Sequence, residues 1–163
     1  AHRALFNTSK TTIGVLQRYA INGGAALALA CDLLAVGEDA YLQVGEVQIG
    51  MAAPYNLAWL SLRHTESVTA TLALLGERLN GPELVRLGVA QLCVDDAQLL
   101  QRGRQLAEQL AGYEGHGLKR IKAGMRARTD ITADAWFDRF TLANPSSAKP
   151  RPKASPNPRG TAQ

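Results

Sequence analysis

At 163 residues, 46% of them hydrophobic and 20% charged, the chain is long enough for one domain with a substantial core, and no apolar run approaches the roughly 18 residues of a membrane span. Two distant cysteines, Cys31 and Cys93, without CxxC spacing or histidine company, argue against a disulfide framework and a metal site, and predict a reducing, cytoplasmic compartment. The net charge of +4 points to nucleic acid only until it is located: residues 145–163 hold Lys149, Arg151, Lys153 and Arg159 with no acid, and the chain before them is neutral.

Residues 1–9 read as the end of a helix and lack the charged and apolar segments of a secretory signal. Residues 12–20, apolar on both faces, predict a buried strand. Asn22-Gly23-Gly24 breaks it, and residues 25–31 form a short helix too apolar for a surface. Residues 33–37 resume a buried strand, so the order strand, turn, helix, strand is an α/β crossover. An extended piece over 41–44 leads into a loop with Gly45, Glu46 and Gly50. Pro54 opens a helix through Leu62, and a second runs from about Glu66 to Leu75, stopped by Gly76. Asn80-Gly81-Pro82-Glu83 is a helix start, with a capping Asn, a Pro in the first turn and an acid near the positive end. Gly88 stops that helix, and residues 89–94 predict a strand. Asp95-Asp96 caps a long helix over 96–111, with Leu99, Leu100, Leu106 and Leu110 at helical spacing. Helical stretches near 117–128 and 132–141 follow. The segment 145–163 contains five of the seven prolines and no large apolar residue, a composition that predicts a disordered, solvated tail rather than a docking element.

Two places have the residue types that chemistry needs. The first is Gly23-Gly24, at the mouth of the short buried helix. The first N–H groups of a helix have no internal partners and carry the positive end of its dipole. Glycine lets a ligand oxygen approach them, and such donors stabilise a developing oxyanion. A tight turn that needs small residues for packing is the alternative. The second is Glu46, a single carboxylate among Val44, Gly45 and Val47. Desolvation there suits a general base; an exposed loop acid is the alternative.

Together these segments carry a resemblance. Tyr19 to Asp32, with Asn22-Gly23-Gly24 leading a small-residue helix that ends in Ala30-Cys31-Asp32, closely resembles the central segment of the enoyl-CoA hydratase/isomerase (crotonase) superfamily. The likeness continues through Ala40 to Gly50, where the family places an acid before a Leu-Gly pair and this chain has Glu46 before Ile49-Gly50. It continues again through Leu75 to Ala90, similar to the family's Leu-Thr-Gly-Arg to Leu-Gly-Leu-Val stretch. The three segments stand in family order and cover about residues 1–140.

The resemblance implies an α/β fold of crotonase type, here a partial spiral of β-β-α units over residues 1–111, a helical region over 112–144, and the tail. It implies an acyl-CoA substrate, with coenzyme A entering as part of that substrate and no tightly bound cofactor. Gly23 matches the position whose N–H holds the thioester oxygen, and Glu46 matches the carboxylate that acts as acid and base on the acyl chain. Hydratases of the family place a second glutamate where this chain has Ala26, so a single-base reaction, enoyl-CoA isomerisation, is favoured over hydration. The family's front section, which supplies the other oxyanion donor, has no counterpart here, so the resemblance implies the C-terminal portion of a longer protein or a truncated reading frame; the loop Met51-Ala52-Ala53-Pro54-Tyr55-Asn56 also departs from the family's pattern. Ala26 and the absent front section keep a second expectation open: an inactive, truncated module that oligomerises or binds a partner. Lys119, Lys122 and Arg126, at helical spacing, are candidates for the phosphates of coenzyme A, with a solvated face as the alternative. Trp59 and Trp136 read as packing residues; trimers or hexamers are common in the superfamily, and Trp136-Phe137 are also candidates for a subunit contact. His64 and His116 read as surface positions, and Cys31 as a small packing residue. No nucleic acid or membrane partner is expected.

Overall fold

The computed structural model describes residues 1–127 and 129–142; the proline-rich tail expected over 145–163 lies outside them. After a short helix, α1 (His2–Asn7), the chain makes two laps of the same path. β1 (Ile13–Leu16) and β2 (Tyr19–Ile21) are separate strands, not the single strand expected over 12–20. The exposed pair Gln17-Arg18 makes the corner between them. The short helix α2 (Gly23–Ala30) completes the first unit. On the second lap β3 (Leu33–Gly37) pairs in parallel with β1, with Ile13 opposite Leu33. Next, β4 (Tyr41–Gln43) pairs in parallel with β2, with Tyr19 opposite Tyr41.

Two more strands extend these pairs into two three-stranded sheets. β5 (Arg78–Asn80) lies antiparallel to β4, and β6 (Leu92–Val94) lies parallel to β3. β5 escapes sequence reasoning because three residues between the stop at Gly76 and the cap at Asn80 show no alternation. β6 is shorter than the expected 89–94 because the Val89 and Ala90 N–H groups both donate to Leu84 O and close the preceding helix.

The remaining helices are α3 (Pro54–Arg63), α4 (Glu66–Leu75), α5 (Gly81–Arg86), α6 (Asp96–Ala111), α7 (Gly115–Arg126) and α8 (Ala133–Leu142). None of the described helices is long and apolar enough to cross a membrane. Alanine and leucine favour helix in α2, and its small side chains Ala25, Ala26 and Ala30 are fully buried. That lets α2 pack closely between β2 and α3. α6 crosses β1 and β3, and it comes so near at Gly103 that a Cβ there would lie 2.8 Å from the Val15 side chain.

The aromatic part of the core joins three helices. The Trp59 and Phe137 rings meet edge to face at 5.4 Å, and Phe6 lies 5.9 Å from Phe137. The Trp136 indole N–H donates to Ala58 O at 3.2 Å. Trp136 and Phe137 therefore dock α8 onto α3 of their own chain. The expectation of a subunit contact through them is corrected, because both are buried within the monomer.

Candidate active site

The site begins where β2 ends. Asn22 turns the chain into α2 with φ 50° and ψ −108°. It is the only described non-glycine residue with positive φ, a conformation that costs on the order of 1–3 kcal/mol and persists only where the surroundings enforce it. Here they do. The Asn22 N–H donates to Gln43 O at 2.9 Å, and Asn22 O accepts from the Ala26 N–H at 3.0 Å. Asn22 O also accepts from the Asn56 side-chain amide at 3.1 Å. Asn22 Oδ1 accepts from the Gly45 N–H at 2.9 Å.

The last bond has a consequence for the helix. An asparagine at this position ordinarily turns its side-chain oxygen onto the first N–H groups of the helix. Asn22 spends that oxygen on Gly45, and α2 has no side-chain cap. Gly23 and Gly24 are exposed, and a Cβ on either would meet nothing within 4 Å. Among the described residues, packing does not demand glycine at either position. What glycine provides is open access to the N–H groups at the positive end of the dipole.

Glu46 opens a 3-10 turn, Glu46–Ile49, that follows β4 and ends at Gly50 with φ 70°. Its carboxylate is half-buried. Oε1 accepts from the Asn56 amide at 2.8 Å. Oε2 is enclosed without a hydrogen-bond partner. Gly45 beside it is closely held, since a Cβ there would lie 3.2 Å from Asn22 Oδ1. Gly23 and Glu46, far apart in sequence, are thus joined through Asn22: Asn22 O and Glu46 Oε1 share one donor, and Gly45 is bonded to the Asn22 side chain. An uncapped helix mouth and a carboxylate with one anchored and one unpartnered oxygen can stabilise an oxyanion and move a proton.

Asn56 is the site residue that sequence reasoning missed. It sits in the first turn of α3 and is 1% exposed. The available signal was a lone amide on the face of a helix that otherwise buries Ala58, Trp59, Leu60 and Leu62.

The basic residues expected to share one face of α7 are divided. Lys119 is exposed. Lys122 is buried, and its ammonium donates to Lys10 O and to Asp32 Oδ2, each at 2.6 Å. Arg126 stacks over Phe6 at 5.0 Å and over Trp59 at 5.4 Å, 3.8 Å from Asp32. Asp32 accepts further bonds from the Thr12 backbone and hydroxyl, at 2.8 and 2.9 Å, and from Arg63 at 3.0 Å. Burial pushes the Asp32 carboxyl up, but the Lys122 and Thr12 hydrogen bonds and the Arg63 charge outweigh it and hold the group below the usual carboxylate range. Lys122 is committed to this internal cluster and is not presented to a ligand. A cavity of about 430 Å³ adjoins the cluster at the C-terminal end of α2, lined in part by Cys31, Asp32, Arg63, Val89 and Met125; its lining includes neither Gly23 nor Glu46. His64 lines the same cavity, whereas His116 stays exposed and pairs with Glu114 at 3.1 Å. Cys31 faces that cavity with a thiol that burial pushes up, away from nucleophilic use.

Known proteins share this arrangement of elements. Carnitinyl-CoA dehydratase of Proteus mirabilis (strain HI4320) is 28% identical over 134 residues, which are 82% of this chain and 51% of that protein. The chain spans about half the length of the curated relatives it matches. Among solved structures, ThnE from S. clavuligerus superposes with a TM-score of 0.78 at 20% identity, covering 88% of this chain and 70% of ThnE. A monofunctional enoyl-CoA isomerase from M. smegmatis superposes with a TM-score of 0.70 at 23% identity, covering 86% and 66%. The fold is the crotonase fold of these structures. Residues 1–139 match the family described as enoyl-CoA hydratase/isomerase, and the chain belongs to that family.

Proposed function

We propose that this chain carries the oxyanion-binding turn and the proton-transferring carboxylate of an acyl-CoA enzyme, and that its reaction is single-base enoyl-CoA isomerisation. The observation that supports it is the joining of the uncapped mouth of α2 to Glu46 through Asn22. The thioester oxygen of a 3-enoyl-CoA would accept from the Gly23 N–H. The Glu46 carboxylate would take a proton from the carbon next to the thioester. The electron pair of that C–H bond moves into the carbonyl, and the negative oxygen is held at the helix mouth. The same carboxyl returns the proton to the far carbon of the former double bond, the pair shifts back, and a conjugated 2-enoyl-CoA results. One carboxylate suffices for this step, and Ala26, fully buried, leaves no second acid in α2. In the same proposal coenzyme A enters only as part of the substrate. Of the three basic residues considered for its phosphates, Lys119 keeps an ammonium exposed to a ligand.

The role of Glu46 is tested by following 3-hexenoyl-CoA turnover with the full chain and with Glu46→Gln. A fall of about 100-fold or more is expected, the usual scale for a positioned acid-base group; equal rates would remove Glu46 from the chemistry. A specific observation favours a second proposal, association with another copy of the chain. Ile49, Met51, Leu74 and Leu75 are all more than half exposed, on or just after the 3-10 turn and at the end of α4, which adjoin through the Gln48 bond to Gly76 O at 2.8 Å, and exposed apolar groups so gathered mark a contact surface.

A further inference from the structure

We infer that Asn56 is a positioning residue, which fixes the Glu46 carboxylate for proton transfer and holds it in register with the mouth of α2. The inference rests on the proposed role of Glu46 and names the residue on which that role depends.

Both N–H bonds of the Asn56 amide have acceptors, Glu46 Oε1 at 2.8 Å and Asn22 O at 3.1 Å. With two divergent bonds the amide plane is fixed, and so is the oxygen it holds. A glutamate side chain has three rotatable bonds and loses a favourable geometry easily when nothing anchors it. Anchoring Oε1 fixes the plane of the carboxylate, and with Oε2 enclosed without a hydrogen-bond partner Asn56 is the side chain that sets its orientation. The same amide grips the carbonyl of the residue preceding Gly23. A second bond, Gly45 N–H to Asn22 Oδ1 at 2.9 Å, ties the residue preceding Glu46 to the same turn. The base and the oxyanion donor therefore belong to one cross-braced unit.

The location of Asn56 argues against a purely structural part. It is 1% exposed beside Trp59 and Leu60, and an apolar side chain would fill that place without the desolvation cost of a buried amide. Its own Oδ1 is enclosed without a partner, a further cost that a packing residue does not bear. Pro54 at the start of α3 fixes the backbone of the turn that presents it. The amide takes no proton and touches no reacting atom; it acts through Glu46.

The test is a cycle of four proteins: wild type, Asn56→Leu, Glu46→Gln and the double substitution. Each is assayed on 3-hexenoyl-CoA for kcat and KM, with thermal unfolding as a check. Misplacing a reacting group by about 1 Å costs on the order of 100-fold, so Asn56→Leu should lower kcat by 10- to 100-fold with KM within twofold. In the Glu46→Gln background the same substitution should change kcat by less than twofold, because the group it acts through is gone. An unchanged kcat, an effect confined to KM, or an equal loss in both backgrounds would overturn the inference while leaving Glu46 its role. Absence of turnover in the wild-type chain would overturn the role and the inference together. Should Asn56→Leu not fold, Asn56→Ser, which keeps a single donor, is read the same way: intermediate kcat is expected, and the wild-type value overturns the inference.

Discussion

Asp32, whose side chain is buried, and the half-buried Glu46 are two carboxylates that the chain treats in opposite ways. Asp32 is surrounded by donors: Lys122, Arg63 and both hydrogen-bonding groups of Thr12. Its group titrates below its value of 3.8 in an unfolded chain. The folded protein therefore binds this proton less readily than the unfolded one. The stabilisation is complete above the unfolded value and is lost as pH falls through the folded value. Wild-type thermal stability should fall on acidification from about pH 5 toward pH 2 more steeply than that of Asp32→Asn, as followed by circular dichroism; parallel slopes would show that Asp32 is not the group being protonated. Removing the carboxylate also strands a buried ammonium. Asp32→Ala should cost about 3–5 kcal/mol at neutral pH, the usual result of breaking a buried pair from one side. Glu46 has one donor and an unpartnered oxygen. It is tied into the fold far less than Asp32 is, which is compatible with the proton transfer proposed for it. A Cβ on Gly45, beside Glu46, would lie 3.2 Å from Asn22 Oδ1 and 3.3 Å from the Gln43 amide nitrogen, close enough that a neighbour must shift by a few tenths of an ångström. Gly45→Ala should push Asn22 and Glu46 apart and lower kcat on 3-hexenoyl-CoA by tenfold or more, with a midpoint loss small enough to leave the chain folded; a wild-type kcat would show that the bridge tolerates displacement.

Among the elements, those with their own local signals were legible in the sequence. α5 is the clearest. Asn80 Oδ1 accepts from the Glu83 N–H at 3.0 Å, and the Glu83 carboxylate returns to the Asn80 N–H at 3.1 Å, a complete capping box. Asn80→Ala should therefore cost roughly 0.5–2 kcal/mol in chemical denaturation. Asn80 also ends β5, the edge strand of the second sheet, where it lies opposite Tyr41 of β4. The elements that were misread depend on partners distant in the chain. Nothing local distinguishes one strand over 12–20 from β1 and β2. Only their parallel partners, Leu33 to Val36 for one and Tyr41 to Gln43 for the other, place them in different sheets. The helical spacing of Lys119, Lys122 and Arg126 was equally uninformative about direction. A solvated basic face and a buried cluster show the same period, and the difference is made by Asp32, which lies 90 residues from Lys122. The site was half legible for the same reason. Gly23 and Glu46 stand out by residue type, whereas the role of Asn56 exists only through its two acceptors.

At the scale of the whole molecule, the two sheets and the site are held from behind by the aromatic contact of α1, α3 and α8. α3 is the common member. Its first turn presents Asn56 to Glu46, its middle carries Trp59 into the contact, and its last residue, Arg63, reaches Asp32. The site is therefore coupled to the C-terminal helix without touching it. Phe137 is fully buried, with its ring 5.4 Å from Trp59, 5.9 Å from Phe6 and 5.9 Å from Tyr55. Phe137→Ala should cost about 3–5 kcal/mol, the transfer and cavity terms of a lost core aromatic. Two consequences distinguish docking of α8 from local packing. If α8 is held mainly by this ring, the substitution releases it, and hydrogen exchange should rise first across residues 133–142 while β1 and β3 stay protected. Tyr55, adjacent to Asn56, loses a neighbour at the same time, so kcat should fall at temperatures where the sheets remain folded. Uniform loss of protection in α8 and both sheets would show instead that the molecule opens as a single cooperative unit, with the site no more sensitive to α8 than any other part of it.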